Sequence, residues 1–229
     1  KDSSMVLETL FQNKKPVIAI DGTAGSGKGT LAKNLAMYLG YSHLDTGYLY
    51  RIMAWEFKKR NKNWEMFKYI NLNTKPFIEN TELANELRSE EISKLSSSIA
   101  KKKIVRDKLI VFQREFADNP PCGKGSVIDG RDITSVIVPK AEVKFFIDAD
   151  VKIRARRRQN QLKKTSSEYK TILAMLIKRD FEDKNRKFSP LTKTPDSFIL
   201  DSTSKNEKEI LNEALDYIKK KRNIISDCI

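Results

Sequence analysis

The sequence contains few of the residues that build metal and disulfide sites. It has a single histidine, His43, and two cysteines, Cys122 and Cys228, that lie far apart in the chain. One histidine excludes a histidine-rich metal centre and most histidine-dependent catalytic triads. The cysteine spacing matches neither a disulfide framework nor a zinc site. These absences favour a reducing compartment, and we expect a cytoplasmic protein.

Long apolar runs are also absent. The sequence has no stretch of about 18 apolar residues that would predict a membrane-spanning helix, and no apolar segment typical of a signal peptide. The chain opens on Lys1, and Leu7–Gln12 (LETLFQ) resembles a picornaviral 3C protease recognition site, although the usual Gly-Pro does not follow. We interpret residues 1–15 as an N-terminal extension that is partly an expression remnant.

The sequence has more basic than acidic residues. Lysine and arginine number 44 against 30 acidic residues, which gives 229 residues a formal net charge of +14. Such an excess is typical of a solvated lysine-rich surface, and equally of a protein that binds nucleic acid or small anionic substrates. Composition does not say where the cations lie, so both interpretations stay open. The length suits one sizeable core, or one core with a small insertion.

The most informative segment lies near the N-terminus. Val17–Ile20 is a short apolar run that predicts a buried parallel strand, and Gly22–Thr30 (GTAGSGKGT) follows it. Leucines at helical spacing come next, at Leu31, Leu35 and Leu39. Strand, glycine loop and helix form the context of a P-loop, whose backbone N–H groups and lysine hold nucleotide phosphates. The alternative is a glycine-rich turn that binds nothing.

The end of this loop differs from the general P-loop pattern. Lys28 is followed by Gly29, and a hydroxyl residue comes one position later, at Thr30. A GKGT ending is more typical of nucleoside monophosphate kinases than of GTPases. We therefore expect a nucleoside triphosphate with Mg²⁺ as the donor, with water in place of a directly coordinating hydroxyl.

Further apolar segments end in an aspartate and alternate with helical patterns. They end at Asp45, Asp129, Asp148 and Asp201. The alternation predicts an α/β fold with a doubly wound, five-stranded parallel sheet flanked by helices. Ligand sites of such sheets lie at the carboxyl ends of the strands.

Two of these strand ends carry candidate ligand residues. Thr46 is expected to cap the following helix and to face a phosphate, and Arg51 to reach the same phosphate; simple capping is the alternative. Asp129 ends a strand like a Walker B acid and is expected to orient Mg²⁺-bound water. Arg131 and Asp132 follow it at the ligand edge.

Arginines cluster on two predicted helices. Val151–Leu162 contains Arg154 and Arg158 four residues apart, which places them on one face. A solvated basic helix or a nucleic-acid patch are alternatives. The polar loop at 163–167 is expected to be a hinge or lid tip. On the second helix, Arg179, Asp183 and Arg186 share a face, either as a surface ion pair or as a grip for ribose and phosphate.

Taken in order, these motifs resemble one enzyme family. The segments IDGTAGSGKGT, LDTGYLYR, VRDKL, IDGRD, VKFFIDA, RDFEDKNR and FILDST occur in this order between Val17 and Thr203. This set is similar to the bacterial-type cytidylate kinases, P-loop kinases that phosphorylate CMP and dCMP with ATP and Mg²⁺.

The resemblance implies a set of site residues. ATP binding falls to Gly22, Thr23, Ala24, Gly25, Ser26, Gly27, Lys28, Gly29, Thr30 and Arg157. CMP binding falls to Thr46, Arg51, Ser97, Arg106, Arg131, Asp132, Arg179, Asp183 and Arg186. Catalytic charge stabilisation falls to Lys28, Arg131, Arg154, Arg158 and Arg179. The 151–186 region is expected to form a short helical lid, in which Arg154, Arg157 or Arg158 closes over the triphosphate.

The resemblance also implies a division of the chain. The core is expected at 16–60, 101–150 and 187–229, a small CMP-binding insert at 61–100 and the lid at 151–186. The insert is short for the family; within it, Lys75–Glu79 is predicted to be a strand and Ala84–Ser98 to be helical. Lys101–Lys103 is interpreted as a solvated helix face, with phosphate binding as the alternative.

Two other functions stay open at this point. One is a P-loop kinase for a different nucleotide or a sugar acid, and the other is a nucleic-acid-binding P-loop ATPase. The sequence shows no basic groove interleaved with aromatic residues, which disfavours the second. We expect a monomer that binds ATP and CMP or dCMP, without nucleic acid or membrane partners.

Overall fold

A computed structural model describes residues 15–70, 81–162, 165 and 168–226. The N-terminal extension before residue 15, the strand predicted at Lys75–Glu79 and all of the predicted lid-tip loop except Thr165 lie outside these residues. Among the described helices, none is both long and apolar enough to cross a membrane.

A five-stranded sheet forms the centre of the fold, which confirms the predicted architecture. Its strands are β1 (Val17–Gly22), β2 (Ser42–Asp45), β3 (Ser126–Gly130), β4 (Val143–Asp148) and β5 (Phe198–Asp201), in the order β2-β3-β1-β4-β5. Strand β1 pairs in parallel with β3 on one side and β4 on the other, and β4 pairs in parallel with β5. Every residue of β1 is buried, as expected for the central strand of a sheet covered on both faces.

Helices alternate with the strands as predicted. The α-helices are α1 (Lys28–Leu39), α2 (Thr46–Lys59), α3 (Trp64–Phe67), α4 (Thr81–Leu87), α5 (Glu90–Ile99), α6 (Lys103–Asp118), α7 (Val151–Gln161), α8 (Tyr169–Asn185) and α9 (Glu207–Ser226). A single turn of π-helix, Ile133–Ile137, follows β3. Helix α1 follows β1 and helix α7 follows β4. Both helices therefore begin at the edge of the sheet where the carboxyl ends of the strands lie.

The segment predicted to be helical at Ala84–Ser98 is confirmed as helical, with one break. The segment Ala84–Ser98 is divided between α4 and α5, and it does not form one continuous helix. Ser89 interrupts it, because its side chain accepts a hydrogen bond from Ile92 N at 3.3 Å as the N-cap of α5. Serine competes with helix propagation in this way, and Glu90 and Glu91 then favour a new helix start.

The chain divides into two compact units. The first contains the described residues up to Leu44 and from Arg114 onward, with the whole sheet except the last residue of β2, and the second is Asp45–Gln113. The predicted insert at 61–100 and lid at 151–186 stay predictions, because compactness does not show which segments bind or move.

Two hydrophobic clusters of described residues lie in the first unit. In the larger one, Leu35 of α1 and Ala214 of α9 pack with Phe145 and the other inward residues of the sheet. The smaller cluster joins Ala24, just after β1, to residues of α7 and α8, namely Ala155, Ile172 and Leu176. The glycine loop is therefore packed against α7 and α8 as well as joined to the sheet.

The second unit is helical. Its buried side chains include Trp55 and Phe57 of α2 and Ile92 of α5, and the ring of Trp64 packs 4.3 Å from that of Phe57 between centroids. Lys58 of α2 forms an ion pair with Glu91 of α5 at 2.8 Å.

Candidate active site

The glycine loop between β1 and α1 has the backbone of a phosphate cradle. Gly25 and Gly27 have φ angles of 76° and 92°, in the left-handed region that favours glycine. Gly22 is required for a different reason, since a Cβ there would lie 2.2 Å from the carbonyl oxygen of Ile147 on β4. The loop therefore turns tightly, and it leaves β1 at a point where the backbones of β1 and β4 lie very close together.

The start of α1 is suited to bind an anion. Gly27 is the N-cap residue and supplies no side-chain acceptor, so no side chain at the cap position covers the first N–H groups of the helix. These groups carry the partial positive charge of the helix dipole. Lys28 is the first residue of the helix and adds a full positive charge.

The loop is also held by residues outside it. Thr23 Oγ1 donates to Asp148 Oδ1 at 2.5 Å. The carbonyl oxygen of Ala24 accepts from Arg154 Nη1 at 3.1 Å, and that of Ser26 accepts from Ser202 Oγ at 2.8 Å. Three segments that follow in sequence therefore support the loop.

Asp129 lies beside the start of α1. A Cβ placed on Gly29 would lie 3.9 Å from Asp129 Oδ2, and Asp129 Oδ1 lies 2.8 Å from His43 Nε2. Among the described residues, no group of three or more His, Cys, Asp or Glu residues is arranged to hold a metal ion. This donor set fits a Mg²⁺ ion that arrives with nucleotide phosphates and keeps several waters, because such an ion needs only one or two carboxylates.

Asp132 begins the π-helix and is buried. The turn is fixed from β1: Asp21 accepts from Ile133 N at 2.9 Å, from Thr134 N at 2.8 Å and from Thr134 Oγ1 at 2.6 Å. Burial raises the pKa of Asp21 from 3.8 to about 6, against the three hydrogen bonds, and nearby Asp132 adds to the rise. Single π-turns are frequent at functional sites.

Asp183 of α8 gathers the predicted acceptor residues. Arg131 Nε donates to its Oδ2 at 2.8 Å, and Arg186 Nη1 lies 3.8 Å from its Oδ1. Burial would raise the pKa of Asp183, but the charges of Arg131, Arg179 and Arg186 outweigh burial and hold the pKa below its usual value. Arg186 Nη2 also lies 4.0 Å from Asp132 Oδ1. Three of the predicted arginines thus surround one carboxylate.

The second unit carries the remaining predicted acceptor residues. Arg51 Nη1 donates to the carbonyl oxygen of Leu87 at 3.2 Å. Arg106 is buried, donates to the carbonyl oxygen of Ala100 at 2.9 Å and lies 5.5 Å from the ring centroid of Tyr50. Ser97 is half-buried on α5.

The predicted cap at Thr46 is wrong. Asp45 is the N-cap residue of α2, and its side chain accepts from Tyr48 N at 3.2 Å. Thr46 is the first helical residue and is buried. An ionised carboxylate is the stronger acceptor and gains from the helix dipole, which explains the choice of Asp45. The contact of Thr46 with a phosphate stays a prediction.

Comparison with known proteins decides the family. The family model described as cytidylate kinase matches residues 18–220. The chain belongs to the cytidylate kinase family. A cytidylate kinase of Bradyrhizobium diazoefficiens is 39% identical over 209 residues, which cover 88% of this chain and 95% of that protein. A cytidylate kinase of Paramagnetospirillum magneticum is 38% identical over 208 residues, which cover 90% of this chain and 99% of that protein.

A solved structure supports the fold of this cytidylate kinase family member. A gluconokinase of Sinorhizobium meliloti superposes with a TM-score of 0.50 at 13% identity, with 93% of this chain and 96% of that chain covered. At this identity the likeness concerns the fold alone, namely a parallel sheet with helices on its faces.

Three predicted lid arginines of this family member occupy different environments. Arg154 is buried, with Nε donating to Ala149 O at 2.8 Å and Nη2 to Asp180 Oδ2 at 2.6 Å. Arg157 is half-buried, with Nη1 3.1 Å from Ser202 Oγ. Arg158 donates to Gln161 Oε1 at 2.9 Å on its own helix. A role over the triphosphate stays a prediction for all three.

Several residues that shape the site were not found from sequence. His43, Asp180 and Ser202 each bond to a predicted residue, and Asp21 holds the turn that begins at Asp132. Asp21 had a usable signal, since it is a charged residue at the end of a buried strand directly before the loop. The others have no local pattern, because their partners lie far along the chain.

Proposed function

We propose that this protein transfers the terminal phosphoryl group of ATP to CMP or dCMP, forming ADP and CDP or dCDP. The observation that carries the proposal is the placement of the phosphate loop and of the Arg131–Asp183 cluster at the carboxyl edge of one sheet, in a chain of the cytidylate kinase family. A kinase of two nucleotides needs one phosphate cradle and a second cationic site, and both occur in the first unit.

Asp132 is the proposed reader of the cytosine base. Cytosine offers an amino donor at N4, and a carboxylate accepts from it. Uracil presents an acceptor at that position. A buried unpaired polar group costs roughly 1–3 kcal/mol, and two facing acceptors also repel each other, so we expect at least about tenfold preference for CMP over UMP. Ser97 and Arg106 are proposed to serve the remaining acceptors of the base.

The arginines are proposed to hold the acceptor's phosphate and ribose. Arg131 and Arg51 suit the phosphate, since a guanidinium binds phosphate oxygens in a fork. Arg179 and Arg186 lie beside Asp183, whose charge is suited to accept from a ribose hydroxyl. In the structure Asp183 neutralises part of this cluster.

Phosphoryl transfer needs positioning and charge more than covalent help. Lys28 and the N–H groups at the start of α1 are proposed to hold the donor phosphates, and Arg131, Arg158 and Arg179 to stabilise charge on the transferring group. Mg²⁺ bound to ATP, beside Asp129, would neutralise phosphate charge. Closure of the 151–186 region over the donor would exclude water.

The test is diphosphate formation from ATP and Mg²⁺ with CMP, dCMP, UMP and AMP in parallel. We expect CMP and dCMP to react, and UMP to react at least about tenfold more slowly in kcat/KM. Equal rates with all four would contradict base recognition by Asp132. Slow ATP hydrolysis with no phosphorylated nucleotide would contradict the proposed acceptor while leaving the phosphate loop in place. The predicted monomer and cytoplasmic location stay predictions.

A further inference from the structure

The carbonyl groups of the phosphate loop are held by side chains from other segments. A loop whose N–H groups converge on a phosphate must turn its carbonyl groups elsewhere, and buried carbonyls need partners. Ala24 O accepts from Arg154 Nη1 at 3.1 Å and Ser26 O from Ser202 Oγ at 2.8 Å. Thr23 O accepts from Ser26 Oγ at 2.9 Å. Two carbonyls of the loop are thereby held by side chains of other segments, and a third is held by Ser26 within the loop.

Arg154 is fixed by all parts of its guanidinium. Its Nε donates to Ala149 O at 2.8 Å and its Nη2 to Asp180 Oδ2 at 2.6 Å, while Nη1 reaches Ala24 O. The side chain is 5% exposed, and that of Asp180 is 13% exposed. A charge-assisted hydrogen bond with so little exposure to water is stronger than one between neutral groups. The Arg154 side chain therefore links α8 firmly to the loop.

Ser202 is fixed in a complementary way. Arg157 Nη1 donates to Ser202 Oγ at 3.1 Å, and the hydroxyl hydrogen has the carbonyl oxygen of Ser26 at 2.8 Å as its nearer acceptor, with that of Asp148 at 3.3 Å. The backbone of Ser202 donates to Asp148 O at 2.9 Å, which ties it to the end of β4. Ser202 is buried, so water does not replace this bond at low cost.

We propose that Arg154 and Ser202 are positioning residues of the phosphate loop. They hold the carbonyls of Ala24 and Ser26 turned outward, so that the loop's N–H groups face the donor phosphates before ATP binds, and Asp180 orients Arg154 for this task. The inference rests on the proposed function in one respect, that the loop binds ATP. It assigns Arg154 a task behind the loop, distinct from closure over the triphosphate.

The decisive variant is Ser202→Ala, since it removes one hydroxyl and leaves the buried volume nearly unchanged. The loop then keeps its glycines but loses one of its fixed carbonyls. We expect the Kd of MgATP, measured by calorimetry, to rise about five- to tenfold, in line with the loss of one buried hydrogen bond. The Kd of CMP and the melting temperature should stay within about twofold and about 2 °C, and Ser202→Thr should restore most of the ATP affinity. Ser204→Ala is the matched control, because Ser204 is exposed two residues further on.

A second variant tests Arg154 through its partner. Asp180→Asn keeps the shape of the side chain and removes the charge that orients the guanidinium, and we expect ATP affinity to fall about threefold to tenfold. Arg156→Met on the same helix is the charge control for α7, since Arg156 is exposed and lies 4.4 Å from the ring centroid of Tyr169.

Unchanged ATP affinity in both Ser202→Ala and Asp180→Asn would overturn the inference. An equal loss of ATP and CMP affinity, or a collapse of the melting temperature, would also overturn it, because either would indicate general structural support. If the wild-type protein did not bind ATP, the proposed function would fall together with the inference. A wild type that phosphorylates CMP beside unaffected variants would leave the function standing and remove only the inference.

Discussion

Replacement of Asp183 by asparagine tests the acceptor site most directly. The change removes a negative charge that lies 2.8 Å from Arg131 Nε and 3.8 Å from Arg186 Nη1. The Arg131 and Asp183 side chains are only 13% and 15% exposed, so solvent screens this interaction weakly. Asparagine keeps the size of the side chain, and the cluster loses the carboxylate that orients its arginines.

The expected effect follows from the value of a charge-assisted hydrogen bond, about 1.5–3 kcal/mol. We expect the KM of CMP to rise about tenfold to a hundredfold, while the KM of ATP changes by less than about twofold. The assay is steady-state ADP formation with one substrate varied at saturating concentrations of the other. Glu182→Gln is the matched control, because it removes the same charge one residue earlier on α8.

A particular result would refute this reasoning. If the KM of ATP rose as much as that of CMP, or if Glu182→Gln had the same effect, Asp183 would not belong to the acceptor site. Stability gives an independent check. The pKa of Asp183 is lowered in the folded state, so its carboxylate stabilises the fold above the ordinary carboxyl range and this contribution is lost as pH falls. The difference in unfolding free energy between wild type and Asp183→Asn should therefore shrink in acid.

Three further predictions concern the loop and its neighbours. Lys28→Ala should abolish turnover while the melting temperature stays near that of the wild type, since the loop backbone is unchanged; retained turnover would contradict the phosphate-loop assignment. Asp132→Asn should reduce the preference for CMP over UMP in kcat/KM, and an unchanged ratio would show that another residue reads the base. Asp21 has a raised folded pKa of about 6, so its contribution to stability is full below pH 3.8 and declines as pH rises to about 6, by on the order of 3 kcal/mol. Urea unfolding at pH 4 and pH 7 checks this against Asp21→Asn, which should lack that decline.

Much of the fold was predictable because its signals are local. Strands β1, β3, β4 and β5 are short apolar runs with an aspartate at or next to their last residue, and Leu31, Leu35 and Leu39 of α1 repeat at helical spacing. The grouping of Asp183 with Arg179 and Arg186 follows from spacings of four and three on one helix. The break at Ser89 was missed because helix-forming residues lie on both sides of it, and a single cap decided the outcome.

The support of the phosphate loop was not predictable from local pattern. Arg154 and Ala24 are 130 positions apart, Ser202 and Ser26 are 176 apart, and Asp21 and Thr134 are 113 apart. Such pairs meet only because the sheet brings separate segments to one edge. Arg154 is buried and has three acceptors, but in the sequence nothing distinguishes it from the other arginines of the same basic helix.

Helix α8 carries two consequential carboxylates only three residues apart. Asp180 accepts from Arg154, which also binds the phosphate loop, and Asp183 accepts from Arg131, which is proposed for the acceptor site. An α-helix turns about 100° per residue, so one residue inserted between them would swing one carboxylate away from its partner. The length of this short stretch is therefore constrained from two directions at once. In the proposed function, a change in α8 that favours binding of one nucleotide must keep the spacing between Asp180 and Asp183, because the site of the other nucleotide depends on it.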